Sequence, residues 1–277
     1  MGDPARMTLH GTRSAESVDI DAYGGLIERW VKRPDGSLEQ VLLPLTPERF
    51  LNPDIEDRMV QGGPHNLAVT FLQGLLVHYF RTEKGTLVFS DVQLRLGRGL
   101  PSPVPDLWVV RGHPQPNFNI RSYSLAKEKV VPCLIVEVVS TAAPLRRTDE
   151  VDKVKLYEKV GIRDYLMIEL PRRANEGRFR LLGLCLGPEG RYQPMPEDEQ
   201  SRYLSDATGL KFGVSADGDR LEIFDASTGE RLRTLTEEEE ARKSAEERAA
   251  REEAARHALE EELAHFRAEI DKSHKDG

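Results

Sequence analysis

No stretch of this chain approaches the roughly 20 consecutive apolar residues that a membrane-spanning helix requires. Its opening residues, MGDPARMTLHGTRSAES, lack the apolar core of a secretory signal. The chain begins Met-Gly, yet position 6 is Arg where an N-myristoylation signal wants Ser or Thr. A cytoplasmic protein with no membrane contact is the expectation. Cysteine is scarce too: Cys133 and Cys185 stand alone, each inside an apolar run (VVPCLIVEV and LLGLCLG). Two such thiols do not make a disulfide framework, and they read as reduced cysteines in buried strands. With no CxxC and no HExxH, a structural zinc site has no ligand set to build on. Aromatic residues make up only 6% of the chain, but an apolar share of 39% is enough for a packed core.

Positive charge is also in deficit. The net charge of −8 is unfavourable for a nucleic-acid partner. Half of it is local, since residues 231–277 carry 14 Asp/Glu against 10 Lys/Arg. Recognition therefore depends on a local patch, and the global balance does not settle it.

Three segments emerge along the chain: a lead-in over residues 1–20, a domain over 21–231 and a helical tail over 236–277. Short strands flank the turn Pro34-Asp35-Gly36. Residues 64–81 form an amphipathic helix, because Ala68, Phe71, Leu72, Leu75, Leu76 and Tyr79 recur at three- and four-residue spacing. The period then changes to that of strands in TLVFS, VQLRL and DLWVV. VPCLIVEVVS reads as a central strand covered on both faces. A helix over 149–160, ended by Gly161, leads to the strand DYLMIEL, a hairpin from RFRLLGLCLG to RYQPM, and a last strand, LEIF. From Thr236, taken as the cap, Glu, Ala and Arg dominate and no Pro or Gly interrupts. Leu259, Leu263, Phe266 and Ile270 alternate by four, three and four, a short coiled-coil-like seam open either to a partner helix, as in a homodimer, or to solvent.

Three residues carry the chemistry. Asp106 opens DLWVV, Glu137 lies inside LIVEVV, and Lys153 stands on the following helix. Taken singly, Asp106 is a turn residue and Lys153 a surface lysine. Glu137 is different, because a carboxylate among Leu, Ile and Val needs a cation to stay charged. Carboxylates on neighbouring strands suit a hard divalent ion such as magnesium. A nearby lysine can orient water or neutralise charge on a phosphoryl group.

Pro105-Asp106, Glu137-Val-Val-Ser140-Thr141, Asp149-x-x-x-Lys153-x-x-x-Tyr157 and Gly161-Ile-Arg-Asp-Tyr165 resemble, in this order, the Uma-two family of bacterial endonucleases in the PD-(D/E)xK superfamily. The resemblance spans roughly residues 64–230. It implies an α/β, restriction-endonuclease-like core, a central mixed sheet flanked by helices, with a long C-terminal helix or coiled coil. It also implies metal-dependent hydrolysis of phosphodiester bonds, in DNA, with magnesium or manganese held by Asp106, Glu137 and the carbonyl of Val138. The superfamily's usual lysine would fall at Val139, so Lys153 takes its place, steadied by Asp149 one turn earlier. Tyr157 reads as packing. His65 matches a polar position of the family and is otherwise a helix-start or surface residue. Lys127, Lys129, Arg146 and Arg147 are the candidate phosphate contacts. The alternative is a nuclease-like fold that binds without cutting, its tail joining partners.

Overall fold

In a computed structural model, the structure describes residues 26–53, 58–59, 63–139, 148–170 and 178–273. The chain divides into two compact units, Met1–Leu232 and Arg233–Gly277.

In the first unit, strands β1 (Leu26–Lys32) and β2 (Leu38–Pro44) form a hairpin, joined by β3 (Arg58–Met59) into a three-stranded sheet. Gly36, at φ +87°, makes the turn that Pro34-Asp35-Gly36 predicts. A short helix α1 (Pro47–Leu51) follows, capped by the Thr46 hydroxyl, which accepts from the Arg49 amide. Next come helix α2 (Gly63–Phe80) and strands β4 (Leu87–Phe89), β5 (Gln93–Arg95), β6 (Leu107–Val110) and β7 (Ser122–Ser124). Helix α3 (Leu125–Glu128) precedes β8 (Leu134–Val139). A π-helical turn (Thr148–Lys153) runs into α4 (Val154–Val160), then β9 (Asp164–Glu169), β10 (Arg180–Leu186) and β11 (Tyr192–Pro194).

The central sheet has six strands in the order β11-β10-β9-β8-β6-β4. Only β8 and β9 run parallel, joined by the crossover through α4; the other pairs are antiparallel. Side chains alternate across a strand, so β8 serves two cores. Val136 and Val138 pack with Leu107, Val109 and Ile168 against Leu72, Leu75 and Leu76 of α2. Ile135 and Val139 pack on the other face with Trp108, Tyr165 and Met167 against Leu156 and Tyr157 of α4. Glu137 shares this second face by alternation. Every residue of β8 is buried, as a strand covered on both sides requires.

Several expectations change. VQLRL is a strand, but β5 pairs in parallel with β7 and stands outside the central sheet. LEIF is β14 (Leu221–Asp225), the edge of a three-stranded sheet with β12 (Tyr203–Ser205) and β13 (Leu210–Val214), two strands the sequence reading missed. Neither cysteine is fully buried. Cys133 lies just before β8, where burial pushes its thiol up to about 12.

The second unit is one helix, α5 (Leu235–Ser273). Its cap is Thr234 and not Thr236. The Thr234 hydroxyl accepts from the Glu237 amide at 3.2 Å, and the Glu237 carboxylate accepts from the Thr234 amide at 2.8 Å, a reciprocal capping box. Leu259 and Leu263 are 58% and 50% exposed. The side chains of Phe266 and Ile270, and the lead-in of residues 1–20, lie outside the described residues.

Candidate active site

The β6–β8 register sets Leu107 opposite Val136, which brings Asp106, the residue entering β6, beside Glu137. One Asp106 oxygen, Oδ2, accepts from the Val138 amide at 2.7 Å. The Asp106 amide points to Oε2 of Glu137 at 3.4 Å. Both carboxylates are nearly sealed from solvent, Glu137 at 1% exposure and Asp106 at 7%. Two such charges at close range persist only if cations answer them.

Each has a basic partner. The Lys153 ammonium stands 2.9 Å from Oε1 of Glu137, with 1% of the lysine exposed. It also lies 4.0 Å from the centroid of the Phe50 ring on α1, a cation–π contact in a dry environment. Lys153, Leu156 and Tyr157 share the inner stripe of the helix by their i, i+3, i+4 spacing. Lys155 falls on the exposed side, as its register predicts.

His65 is the partner of Asp106. Near the start of α2 it is 9% exposed, with Nε2 3.1 Å from Asp106 Oδ2. His65 does stand at the helix start, but the reading of it as a surface residue is corrected: it is buried against the first carboxylate. Burial works against its proton, but the hydrogen bond and charge of Asp106, the charge of Asp91 and the backbone of Val138 together raise its pKa. Asp106 is the reciprocal case. Burial pushes its carboxyl up, and His65, Lys153 and the Val138 amide outweigh that to hold it below the ordinary range.

Tyr157 is likewise more than packing. Its hydroxyl donates to Oε1 of Glu137 at 3.0 Å, so the carboxylate that receives the lysine also receives a phenol. Asp91, which the sequence reading passed over, joins the electrostatic group from the turn after β4. Its backbone is left-handed (φ 56°), and its side chain is open to solvent on one side. Burial on the other side and the negative charge of Asp106 raise its carboxyl pKa. Its only trace in the sequence is Ser90-Asp91 at a strand end.

Other candidates are not gathered here. Lys127 on α3 and Lys129 just after it are exposed at the amino-terminal end of β8, and Lys127 faces Glu128 at 3.6 Å. Arg146, Arg147, Ser140 and Thr141 lie outside the described residues, as does the Asp149 side chain, though its backbone belongs to the π-helical turn. Among the described residues, no three His, Cys, Asp or Glu side chains group as ligands of one ion.

A six-stranded mixed sheet flanked by helices, with two buried carboxylates at neighbouring strands, has the layout of a restriction-endonuclease-like protein. Residues 48–227 match the model of the family Uma2, described as "Putative restriction endonuclease", and the chain belongs to that family. Among solved structures, a "putative nuclease belonging to DUF820" from Anabaena variabilis is similar at 12% identity and a TM-score of 0.38, over 55% of this chain and 79% of that one. A comparison with curated proteins gives no match. No helix among the described residues is long and apolar enough to cross a membrane.

Proposed function

We propose that this protein is a divalent-metal-dependent endonuclease that hydrolyses phosphodiester bonds in DNA. The observation that supports this reading is the buried charge pattern of Asp106 with His65 and Glu137 with Lys153, at the meeting of β6 and β8. A merely structural role would be served better by apolar residues, since buried ion pairs seldom out-compete well-packed hydrophobic ones.

The donor set suits magnesium or manganese. Both metals favour oxygen, and magnesium binds commonly through one or two carboxylates, keeping water and substrate phosphate in its other positions. Asp106 and Glu137 would hold the ion with the Val138 carbonyl, so no cluster of three side chains is needed. A cation bound there polarises the scissile phosphate and lowers the pKa of a bound water. Lys153 presents a fixed ammonium at the edge of Glu137, placed to orient that water or to offset charge growing on the phosphate. Tyr157 fixes the Glu137 carboxylate through Oε1, and His65 fixes Asp106 through Oδ2.

The test is cleavage of plasmid, linear and single-stranded DNA by the pure protein with magnesium or manganese, repeated with Asp106→Ala and Glu137→Gln. Cleavage that depends on the metal and is lost in both variants is the expected result. Turnover at the wild-type rate in either variant refutes the site. A folded wild-type protein that binds DNA and cuts none of the three would favour the non-catalytic scaffold reading.

A further inference from the structure

The hairpin of β1 and β2 leaves a long strand edge uncovered. In the sheet β2-β1-β3 the outer strand is β2, seven residues from Leu38 to Pro44. The other edge strands among the described residues are two to five residues long. Short edges are one way in which a fold prevents strand-to-strand association, and a long open edge is a template for another strand.

The hydrogen bonding of the hairpin shows which groups that edge offers. The Arg33 amide donates to the Ser37 carbonyl at 2.8 Å, and the Gly36 amide closes the turn on the Arg33 carbonyl at 2.9 Å. Bonded and non-bonded pairs alternate in an antiparallel ladder. Counting back from Arg33 and Ser37, the bonded pairs are Val31–Glu39, Arg29–Val41 and Ile27–Leu43. The N–H and C=O groups of Leu38, Gln40 and Leu42 therefore point away from β1, and no strand among the described residues pairs with them. Their side chains share one face with Trp30 and Lys32, which pair with Gln40 and Leu38. Leu38 is 64% exposed and Trp30 53%. Large apolar side chains beside open backbone groups mark a contact surface.

The sequence of β2, LEQVLLP, decides what fits there. When two copies pair antiparallel, the outward-facing residues lie opposite one another, and the registers that keep most of the strand paired differ in what they bring together. With Leu38 opposite Gln40, Glu39 faces Glu39 of the second copy, and like charges directly opposite repel. With Leu38 opposite Pro44, one position has no N–H to give. With Leu38 opposite Leu42, the two-fold axis passes through Gln40. Leucine then meets leucine, the two Gln40 amides face each other with donor and acceptor to exchange, and Glu39, held by Arg33 at 2.8 Å, lies opposite Val41. We infer that β2 pairs antiparallel with β2 of a second copy of this chain about an axis at Gln40. The interface is isologous, with Leu38 of each copy on Leu42 of the other, and the sheet runs on across both copies. A seam one strand long covers less than the roughly 1,200 Å² of a standard interface, so the association is weak, with Kd on the order of 10–100 µM. Dimerisation of this kind is independent of cleavage.

The position of Gln40 on the axis gives a specific test, read by sedimentation equilibrium of the full-length protein. Wild type is expected in a monomer–dimer equilibrium. Gln40→Lys and Gln40→Glu each set two like charges directly opposite one another and should each weaken dimerisation about fivefold. An equimolar mixture of the two variants sets ammonium against carboxylate and should recover wild-type strength. Gln40→Pro removes the amide at the axis without removing a bond to β1, as an edge strand tolerates, and should abolish pairing. Gln40 is exposed, so the charged variants should fold, which circular dichroism checks. A wild type still monomeric at about 500 µM, well above the expected Kd, overturns the pairing, and this is also the result if the edge takes a foreign extended peptide instead of itself. A dimer indifferent to all these substitutions, as one held through α5 would be, overturns it as well. So does weakening in both charged variants without recovery in their mixture.

Discussion

Replacing Lys153 with Met isolates the charge of this side chain from its volume. Methionine is unbranched and apolar, so it fills much of the same space beside Phe50 while leaving the Glu137 carboxylate buried at 1% exposure without its cation 2.9 Å away. Breaking a buried pair from one side costs about 3–5 kcal/mol. For a unit of this size that lowers Tm by roughly 6–20 °C. Adding Glu137→Gln removes the stranded charge, so the double variant should recover much of the loss. Magnesium supplies a second check. If Glu137 is a metal ligand, a bound cation replaces the missing positive charge, and magnesium should raise Tm more in Lys153→Met than in wild type. Cleavage should fall by about 10²–10³, the usual cost of removing one group that stabilises developing charge, and Lys155→Met should stay close to wild type. Differential scanning calorimetry with and without magnesium, beside a cleavage assay, reads all of this. Equal magnesium shifts in wild type and Lys153→Met would refute the view that lysine and metal answer the same carboxylate. Loss of activity in Lys155→Met with full activity in Lys153→Met would show that the wrong lysine has been assigned.

Tyr157→Phe keeps the ring that packs edge-on against Tyr165 and deletes only the hydroxyl that donates to Glu137. A hydrogen bond to a charged group is worth about 1.5–3 kcal/mol, so thermal unfolding should show a loss of that size, and an unchanged Tm would return Tyr157 to packing alone. Asp225 gives a pH-dependent case: the Ser227 side chain, then the Tyr79 hydroxyl at 2.7 Å, lower its carboxyl from 3.8 to about 2. A folded pKa below the unfolded one adds stability above the unfolded value and loses it as pH falls from about 4 to about 2. Asp225→Asn should therefore be less stable than wild type at neutral pH and should flatten the acid limb of Tm against pH; an acid limb identical to that of wild type would show that this carboxylate does not titrate with unfolding.

The parts of the fold that were legible in the sequence are those decided by local pattern. LIVEVV announces a strand with both faces covered, and α2 follows from apolar spacing alone. The β5–β7 pairing is a contact between distant segments, and β7 in RSYS and β12 in RYLSD carry too little apolar pattern to be read, unlike the equally short β4 and β5 in TLVFS and VQLRL. The helix cap shows the limit of local chemistry. Thr234-x-x-Glu237 and Thr236-x-x-Glu239 are both valid capping boxes by sequence, and the helix uses the first. The candidate site divides along the same line. Glu137 stands out because a carboxylate in an apolar strand violates its surroundings, and the violation is visible in six residues. What answers it is not visible there. The Tyr157 hydroxyl comes from 20 positions away, and His65, which answers the second carboxylate, reaches Asp106 across 41; Lys153 is legible through the family resemblance alone. A tyrosine on an inner helical stripe has the same sequence pattern whether its hydroxyl meets solvent or a carboxylate, because its ring accounts for the periodicity. A histidine near a helix start is equally silent about what lies beneath it. A sequence thus exposes a buried charge through the cost of placing it there, while the phenol and the imidazole that share that cost become identifiable only when the fold lays their helices against the strands.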